Sequence, residues 1–175
     1  MNRWVFGYGS LIWRPDIEFI ESRPARLPGW QRRFWQGSHD HRGVPDQPGR
    51  VVTLVPEPTG HCDGMAYLVD QSVVDATFQA LDVREKNGYE RHEVTLHLLD
   101  PAHSEDGLVY IAPVDNHAFL GPAPLPDMVA QILQCEGPSG RNIDYLFELA
   151  TALRQLDAND PHVFELEAAV REALA

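Results

Sequence analysis

Apolar side chains alternate and bunch along this chain so as to place strands in its first two thirds and helices in its last third. Trp4, Val5 and Phe6 form a short apolar run that meets Gly7-Tyr8-Gly9-Ser10, which predicts a strand running into a tight turn before Leu11, Ile12 and Trp13. Glycines and prolines crowd residues 37–50, which read as loop. Residues 50–55 read as a strand, 56–60 as a turn and about 64–69 as a second strand, together a hairpin. Residues 72–83 read as a helix capped by Ser72, with Val73, Val74, Phe78 and Leu81 inward. Asn87-Gly88 marks a turn, residues 90–99 a strand with Val94, Leu96 and Leu98 on one face, and residues 107–113 another strand. Met128, Val129, Ile132 and Leu133 then predict a short helix stopped by Gly137-Pro138. Ser139 caps the next helix, with Ile143, Leu146, Phe147, Ala150 and Leu153 inward, and Asp160-Pro161 opens a third. Strands first and helices last point to an α+β fold, and no repeat or long linker divides residues 1–175, which are expected to form one domain.

Composition narrows the function. Hydrophobic residues make up 43% and charged residues 23%, which are ordinary globular fractions that exclude disorder and collagen. No stretch approaches the ~18 consecutive apolar residues of a membrane span. The first residues run straight into a strand without the apolar core of an export signal, so a cytoplasmic location is expected. A formal net charge of −12 argues against nucleic-acid binding and against docking on anionic lipid, so neither partner is expected. The charge is uneven: residues 1–50 hold eight Arg against five acidic residues, while the remainder carries a net of −15. Two readings stand, an anionic small molecule bound near the N-terminal segment or internal pairing of these arginines with the acidic remainder. Cys62 and Cys135 match neither a metal-finger spacing nor a disulfide framework.

Four short segments raise candidate chemistry. The Gly7-Tyr8-Gly9-Ser10-Leu11 turn can let backbone N–H groups approach an anion, and Gly9 would be required there if the turn needs a positive φ, but it lacks the third glycine of a dinucleotide site and the flanking pattern of a nucleophile elbow. Glu85, between Arg84 and Lys86, reads by itself as a solvated helix end. His39-Asp40-His41 invites a metal reading, with Asp46 and His61 nearby, yet the spacing matches no ligand motif. Cys62 beside His61 is not by itself a nucleophile pair.

Taken together, FGYGSLIWRP (6–15), RRFWQGSHDHRGVPDQPGRVVTLV (32–55), LDVREKNGYERHEV (81–94), YIAPVDNHAFLGPAPL (110–125) and GPSGRNIDYLFELA (137–150) closely resemble the ChaC-type γ-glutamylcyclotransferases, the glutathione-specific branch of the γ-glutamylcyclotransferase-like proteins. The stretches lie in family order and span nearly the whole chain; Asn87, where the family often has Gly, is a conservative departure. The resemblance implies a small closed or partly closed mixed β-barrel with helices packed outside. It implies cleavage of glutathione to 5-oxoproline and cysteinylglycine with no metal and no other cofactor, by a monomer or weak homodimer. By position in the motif Glu85 matches the catalytic glutamate, and Gly7, Tyr8, Gly9, Ser10, Leu11 and Ile12 match the substrate loop. Arg84 and Lys86 are then expected to point away from the pocket. Tyr145 is the candidate phenol donor, and Arg33 either meets a substrate carboxylate or forms a structural ion pair. Two alternatives stay open: a cyclotransferase for other γ-glutamyl amines or dipeptides, and a non-catalytic γ-glutamyl-binding protein.

Overall fold

The computed structural model describes residues 1–85 and 88–175; Lys86 and Asn87, and with them the first half of the expected Asn-Gly turn, lie outside the described residues. Strand β1 (Arg3–Gly7) leads through a 3₁₀ turn (Ser10–Ile12) to β2 (Glu21–Ser38) and β3 (Gly49–Val69). Helix α1 (Val74–Arg84), strands β4 (Glu90–Leu98) and β5 (His103–Ile111), and helix α2 (Leu125–Gln134) follow. A two-stranded ribbon, β6 (Glu136–Gly137) and β7 (Gly140–Arg141), precedes helices α3 (Asn142–Gln155) and α4 (Pro161–Leu174). The first five strands close a barrel in the order β1-β3-β2-β4-β5, in which β1 runs antiparallel to β3 and parallel to β5. The expected α+β class and closed barrel are both present.

Sequence pattern and structure part company in the middle of the chain. The predicted hairpin over 50–69 is one continuous strand, because Pro56 and Pro58 occupy exposed positions where a missing N–H is tolerated. Strand β2 went unpredicted: Pro24, Pro28 and Gly29 interrupt its alternation, and Gly29 takes φ 86° within the strand. Ser72 does not cap α1; its hydroxyl and N–H both bind Asp70 in a local turn, and Val73 stands at the helix start. Ser139 does not cap α3 either, since the β6–β7 ribbon delays that helix to Asn142. Strand β5 starts four residues before the expected Gly107. The third helix opens as expected, with the Asp160 carboxylate accepting the Val163 N–H at 3.2 Å and Pro161 in the first turn. None of the described helices is long and apolar enough to cross a membrane.

The chain divides into two compact units, 1–31 with 54–116 and 32–53 with 117–175, and β2 and β3 each contribute to both. In the first unit, alternate residues of β1 and β5 split between two faces. Val5, Leu108 and Tyr110 join Leu11, Val69, Phe78 and Leu81 in one apolar cluster, which holds α1 against the strands. Phe6 and Val109, on the opposite face, are fully buried. The sheet closes tightly here. A Cβ on Gly64 would lie 2.2 Å from the Gly7 carbonyl oxygen, so only glycine fits where β1 meets β3.

In the second unit a buried arginine gathers several segments. Arg50 donates to Gln131 Oε1 at 2.7 Å and to the carbonyls of Phe34 and Gly121 at 2.9 and 3.1 Å. Asn142 reaches the Arg50 backbone from α3, accepting its N–H and donating to its carbonyl, each at 2.8 Å. Arg32 pairs with Asp160 at 2.7 Å, and Glu167 sits between Arg154 and Arg171. The His162 ring accepts the Phe34 N–H through Nε2 at 3.0 Å, which requires that nitrogen to be unprotonated.

Two stability predictions come from these contacts. Burial first, then the positive charge of Arg33, pushes the His162 pKa down from 6.5 to about 4. The unfolded chain therefore binds the extra proton between those values, and stability is lost as pH falls from about 6.5 towards about 4. The contribution is at most about 3 kcal/mol, at roughly 1.36 kcal/mol per pH unit. His162→Gln keeps an acceptor for Phe34 but not the titration, so its urea midpoint should differ less between pH 7 and pH 4.5 than that of the parent. Gly64→Ala should lower the urea midpoint by an amount equivalent to about 1–3 kcal/mol, because the strands must part to admit a methyl group.

Candidate active site

Strand β1 delivers the chain to Gly7, and the 3₁₀ turn carries it straight back. A Cβ on Gly7 would lie 2.7 Å from the Leu11 Cβ, so glycine is required for the reversal. Gly9 has φ −127°, so the condition of a positive φ is not met there: the turn needs glycine at 7 for close packing, not at 9 for a left-handed backbone. The turn closes through the Ile12 N–H on the Gly9 carbonyl at 2.9 Å and the Arg14 N–H on the Ser10 carbonyl at 2.7 Å. As in any helical first turn, the N–H groups of Ser10 and Leu11 have no partner within the turn itself.

Contacts with α1, β5 and β3 fix this loop. Leu11 is buried in the apolar cluster beneath α1. The Tyr8 hydroxyl donates to the Tyr110 carbonyl at 2.5 Å. The Tyr67 hydroxyl, on β3, donates to the carbonyls of Leu11 and Ile12 at 2.6 and 3.1 Å. Burial pushes the Tyr67 pKa up to about 12, so it remains a donor at any physiological pH.

Glu85 stands at the C-terminal end of α1, its N–H on the Leu81 carbonyl at 2.8 Å and its side chain 18% exposed. Phe78 and Leu81 anchor the two preceding turns of α1, so the cluster that buries Leu11 also sets the height of Glu85. The Glu85 charge also acts on Tyr110, whose pKa is raised by burial, by the hydrogen bond to Asp82 and in smaller part by that charge. Arg84 does not point away. Its Nε lies 3.8 Å from Glu85 Oε1, its Nη2 donates to Ser10 Oγ at 2.9 Å and its Nη1 to the Pro15 carbonyl at 3.1 Å. The loop acceptors within its reach draw it inward. Lys86, expected to point the same way as Arg84, lies outside the described residues.

The first unit thus brings together Glu85 and the whole of the Gly7, Tyr8, Gly9, Ser10, Leu11, Ile12 segment. Tyr145 and Arg33 belong to the second unit. The Tyr145 hydroxyl accepts the Val52 N–H at 3.2 Å, and its ring meets Phe34 edge-on at 5.8 Å. Arg33 donates to the Arg32 carbonyl at 2.8 Å and lies 5.8 Å from the centre of the Trp35 ring. His41 contacts Ser139 Oγ at 3.0 Å, with Asp40 3.9 Å from its other ring nitrogen. No cluster of three or more metal-ligating side chains occurs among the described residues. Cys62 is buried, with Sγ against the Asp63 carbonyl at 3.8 Å. Sequence reasoning missed Tyr67 and the inward turn of Arg84; a lone tyrosine in a strand and an arginine at a helix end carry no local signal for either contact.

Comparison with known proteins assigns this arrangement to a family. Residues 3–173 match the ChaC-like protein family. Gamma-glutamylcyclotransferase 2-3 of Arabidopsis thaliana is 46% identical over 184 residues, covering all of this chain and 92% of that protein. The human glutathione-specific gamma-glutamylcyclotransferase 1 is 42% identical over 172 residues, covering 95% of this chain and 78% of that protein. The crystal structure of a yeast gamma-glutamyl cyclotransferase specific to glutathione superposes with a TM-score of 0.92 at 31% identity, covering 98% of this chain and 96% of that one. The chain with the Gly7–Ile12 loop beside Glu85 therefore belongs to the ChaC-like family.

Proposed function

We propose that the protein is a γ-glutamylcyclotransferase acting on glutathione, with Glu85 as its general base and acid. The observation that carries this reading is the Glu85 carboxylate held at the end of α1, beside a loop whose Ser10 is bridged to the adjacent Arg84. The names of the relatives support the reaction class.

The chemistry is intramolecular. The γ-glutamyl α-ammonium loses a proton to the Glu85 carboxylate, and the freed amine attacks its own γ-carbonyl carbon. A C–N bond forms and the carbonyl electrons move to oxygen. As they return, the original amide C–N bond breaks and the Glu85 carboxyl gives its proton to the departing cysteinyl nitrogen; the restored carboxylate then takes the second proton from the ring nitrogen and passes it to the same amine, which leaves as an ammonium. The products are 5-oxoproline and cysteinylglycine, and Glu85 ends as it began. Holding amine and carbonyl in register can lower the barrier by about 7–11 kcal/mol, so folding the glutamyl arm is the protein's main task. The loop from Gly7 to Ile12 supports that role: it is fixed on both sides, and its backbone N–H groups suit the glutamyl α-carboxylate. The negative end of the α1 dipole lies at Glu85, and the Arg84 cation offsets it. Tyr145 we assign as a phenol donor to substrate; a hydroxyl that accepts the Val52 N–H can still give its own proton. Arg33 is the candidate partner for a substrate carboxylate.

A second reading has support of its own. The Arabidopsis relative at 46% identity is named for γ-glutamyl chemistry without mention of glutathione, so γ-glutamyl dipeptides and amines are the alternative substrates.

The test is incubation with reduced glutathione, alongside γ-glutamyl dipeptides, with mass spectrometry of the products. Formation of 5-oxoproline and cysteinylglycine that falls at least a hundredfold in Glu85→Gln, with an unchanged melting temperature, is the expected result. Near-parental turnover in Glu85→Gln removes Glu85 from the chemistry. Cleavage of dipeptides but not glutathione transfers the reading to the second substrate class. Tyr145→Phe should lower kcat/KM severalfold and also cost about 1–3 kcal/mol of stability, because the Val52 N–H loses its acceptor. An unchanged kcat/KM leaves Tyr145 with the structural contact alone.

A further inference from the structure

In the first unit, Arg84 contacts both Glu85 and the loop that reverses at Gly7. Its guanidinium divides its donors. Nη2 takes Ser10 Oγ, Nη1 takes the Pro15 carbonyl, and Nε faces the Glu85 carboxylate. The two loop acceptors are on Ser10, the first residue of the 3₁₀ turn, and Pro15, three residues past its end, so one planar group ties the turn to the segment that follows it. Asp16, 3.9 Å away and largely exposed, adds little. The same turn is also held by Tyr67 through the carbonyls of Leu11 and Ile12. An ordinary cation at a helix C-terminus gains from the helix dipole with its side chain in solvent. Arg84 instead is only 21% exposed and spends its hydrogen bonds on another segment.

We propose that Arg84 is a positioning residue that locks the Ser10 turn to the end of α1 and so sets the substrate loop in register with the Glu85 carboxylate. The inference rests on the reading of Glu85 and the loop given above. A planar fork suits the task, because it presents donors from three separate nitrogens to acceptors that lie apart, whereas an ammonium offers all its donors from one atom. Ser10 accepts this bond, so its own hydroxyl proton is directed away from Arg84.

The experiment compares Arg84→Met, Arg84→Lys, Ser10→Ala and the Arg84→Met/Ser10→Ala double variant with the parent, all checked by melting temperature. Two quantities are read: amide hydrogen exchange at Ile12 and Arg14, and KM and kcat with glutathione. The clamp predicts exchange at both amides at least tenfold faster in Arg84→Met, and a KM raised about tenfold, the scale of one charge-assisted hydrogen bond. A defect that merely thins the folded population lowers apparent kcat and leaves KM alone. Arg84→Lys should recover only part of the loss. Ser10→Ala should add little once Arg84 is gone, since both substitutions break one bond. Unchanged exchange in Arg84→Met, an unchanged KM, full recovery by lysine or additive effects in the double variant each overturn the proposal. If Arg84→Met fails to fold, Ser10→Ala breaks the same bridge by removing one atom, and the exchange criterion applies to it unchanged. If the parent turns over neither glutathione nor γ-glutamyl dipeptides, the functional reading falls, and the exchange measurement still decides the clamp.

Discussion

The burial of Leu11 in the same apolar cluster as Phe78 and Leu81 is the constraint on which the candidate site depends. Leu11 belongs to the loop, and Phe78 and Leu81 belong to the helix that ends at Glu85. A polar site assembled from a loop and a helix end needs something to fix their separation, and hydrogen bonds exposed to water do this weakly. A shared apolar patch does it well, because each side chain that leaves it exposes surface worth about 1.5–3 kcal/mol. Gly7 makes the arrangement possible, since any larger residue would push Leu11 out of the cluster. The closed strand order makes it rigid, since β1 is paired on both sides.

Charge is used in the same economical way. Several of the N-terminal arginines face inward or pair within the protein: Arg26 with Asp63, Arg32 with Asp160, and Arg50 with a glutamine and two carbonyls. The positive excess of the first 50 residues is therefore absorbed in large part by internal bonding, which favours the second of the two readings offered for it. Arginine suits this work because its fork bonds several acceptors while staying charged.

The legible parts of the fold were those where a single local rule decides. Asp160-Pro161 capped its helix as written, and Val94, Leu96 and Leu98 kept to one face of β4. The illegible parts were strands held by neighbours distant in sequence. Nothing local tells that Pro56 and Pro58 lie within one strand, or that residues 21–38 form another, because their prolines are tolerated only by the exposure of particular positions. The site shows the same division. Glu85 taken alone is one more glutamate at a helix end, and only the long motifs around it single it out. The contacts of Tyr67 and Arg84 depend on the loop returning to meet them, a tertiary fact with no signature at either residue.

The tight return at Gly7 also bears on how a ligand is received. To swing open, the loop would have to withdraw Leu11 from its cluster. That penalty alone keeps such conformers to roughly one molecule in ten to one in a hundred. The site therefore stands assembled before any ligand arrives, and little loop entropy is surrendered on binding. What remains to be ordered is the ligand: a flexible γ-glutamyl arm entering a frame already set will carry most of the entropic cost of its own capture.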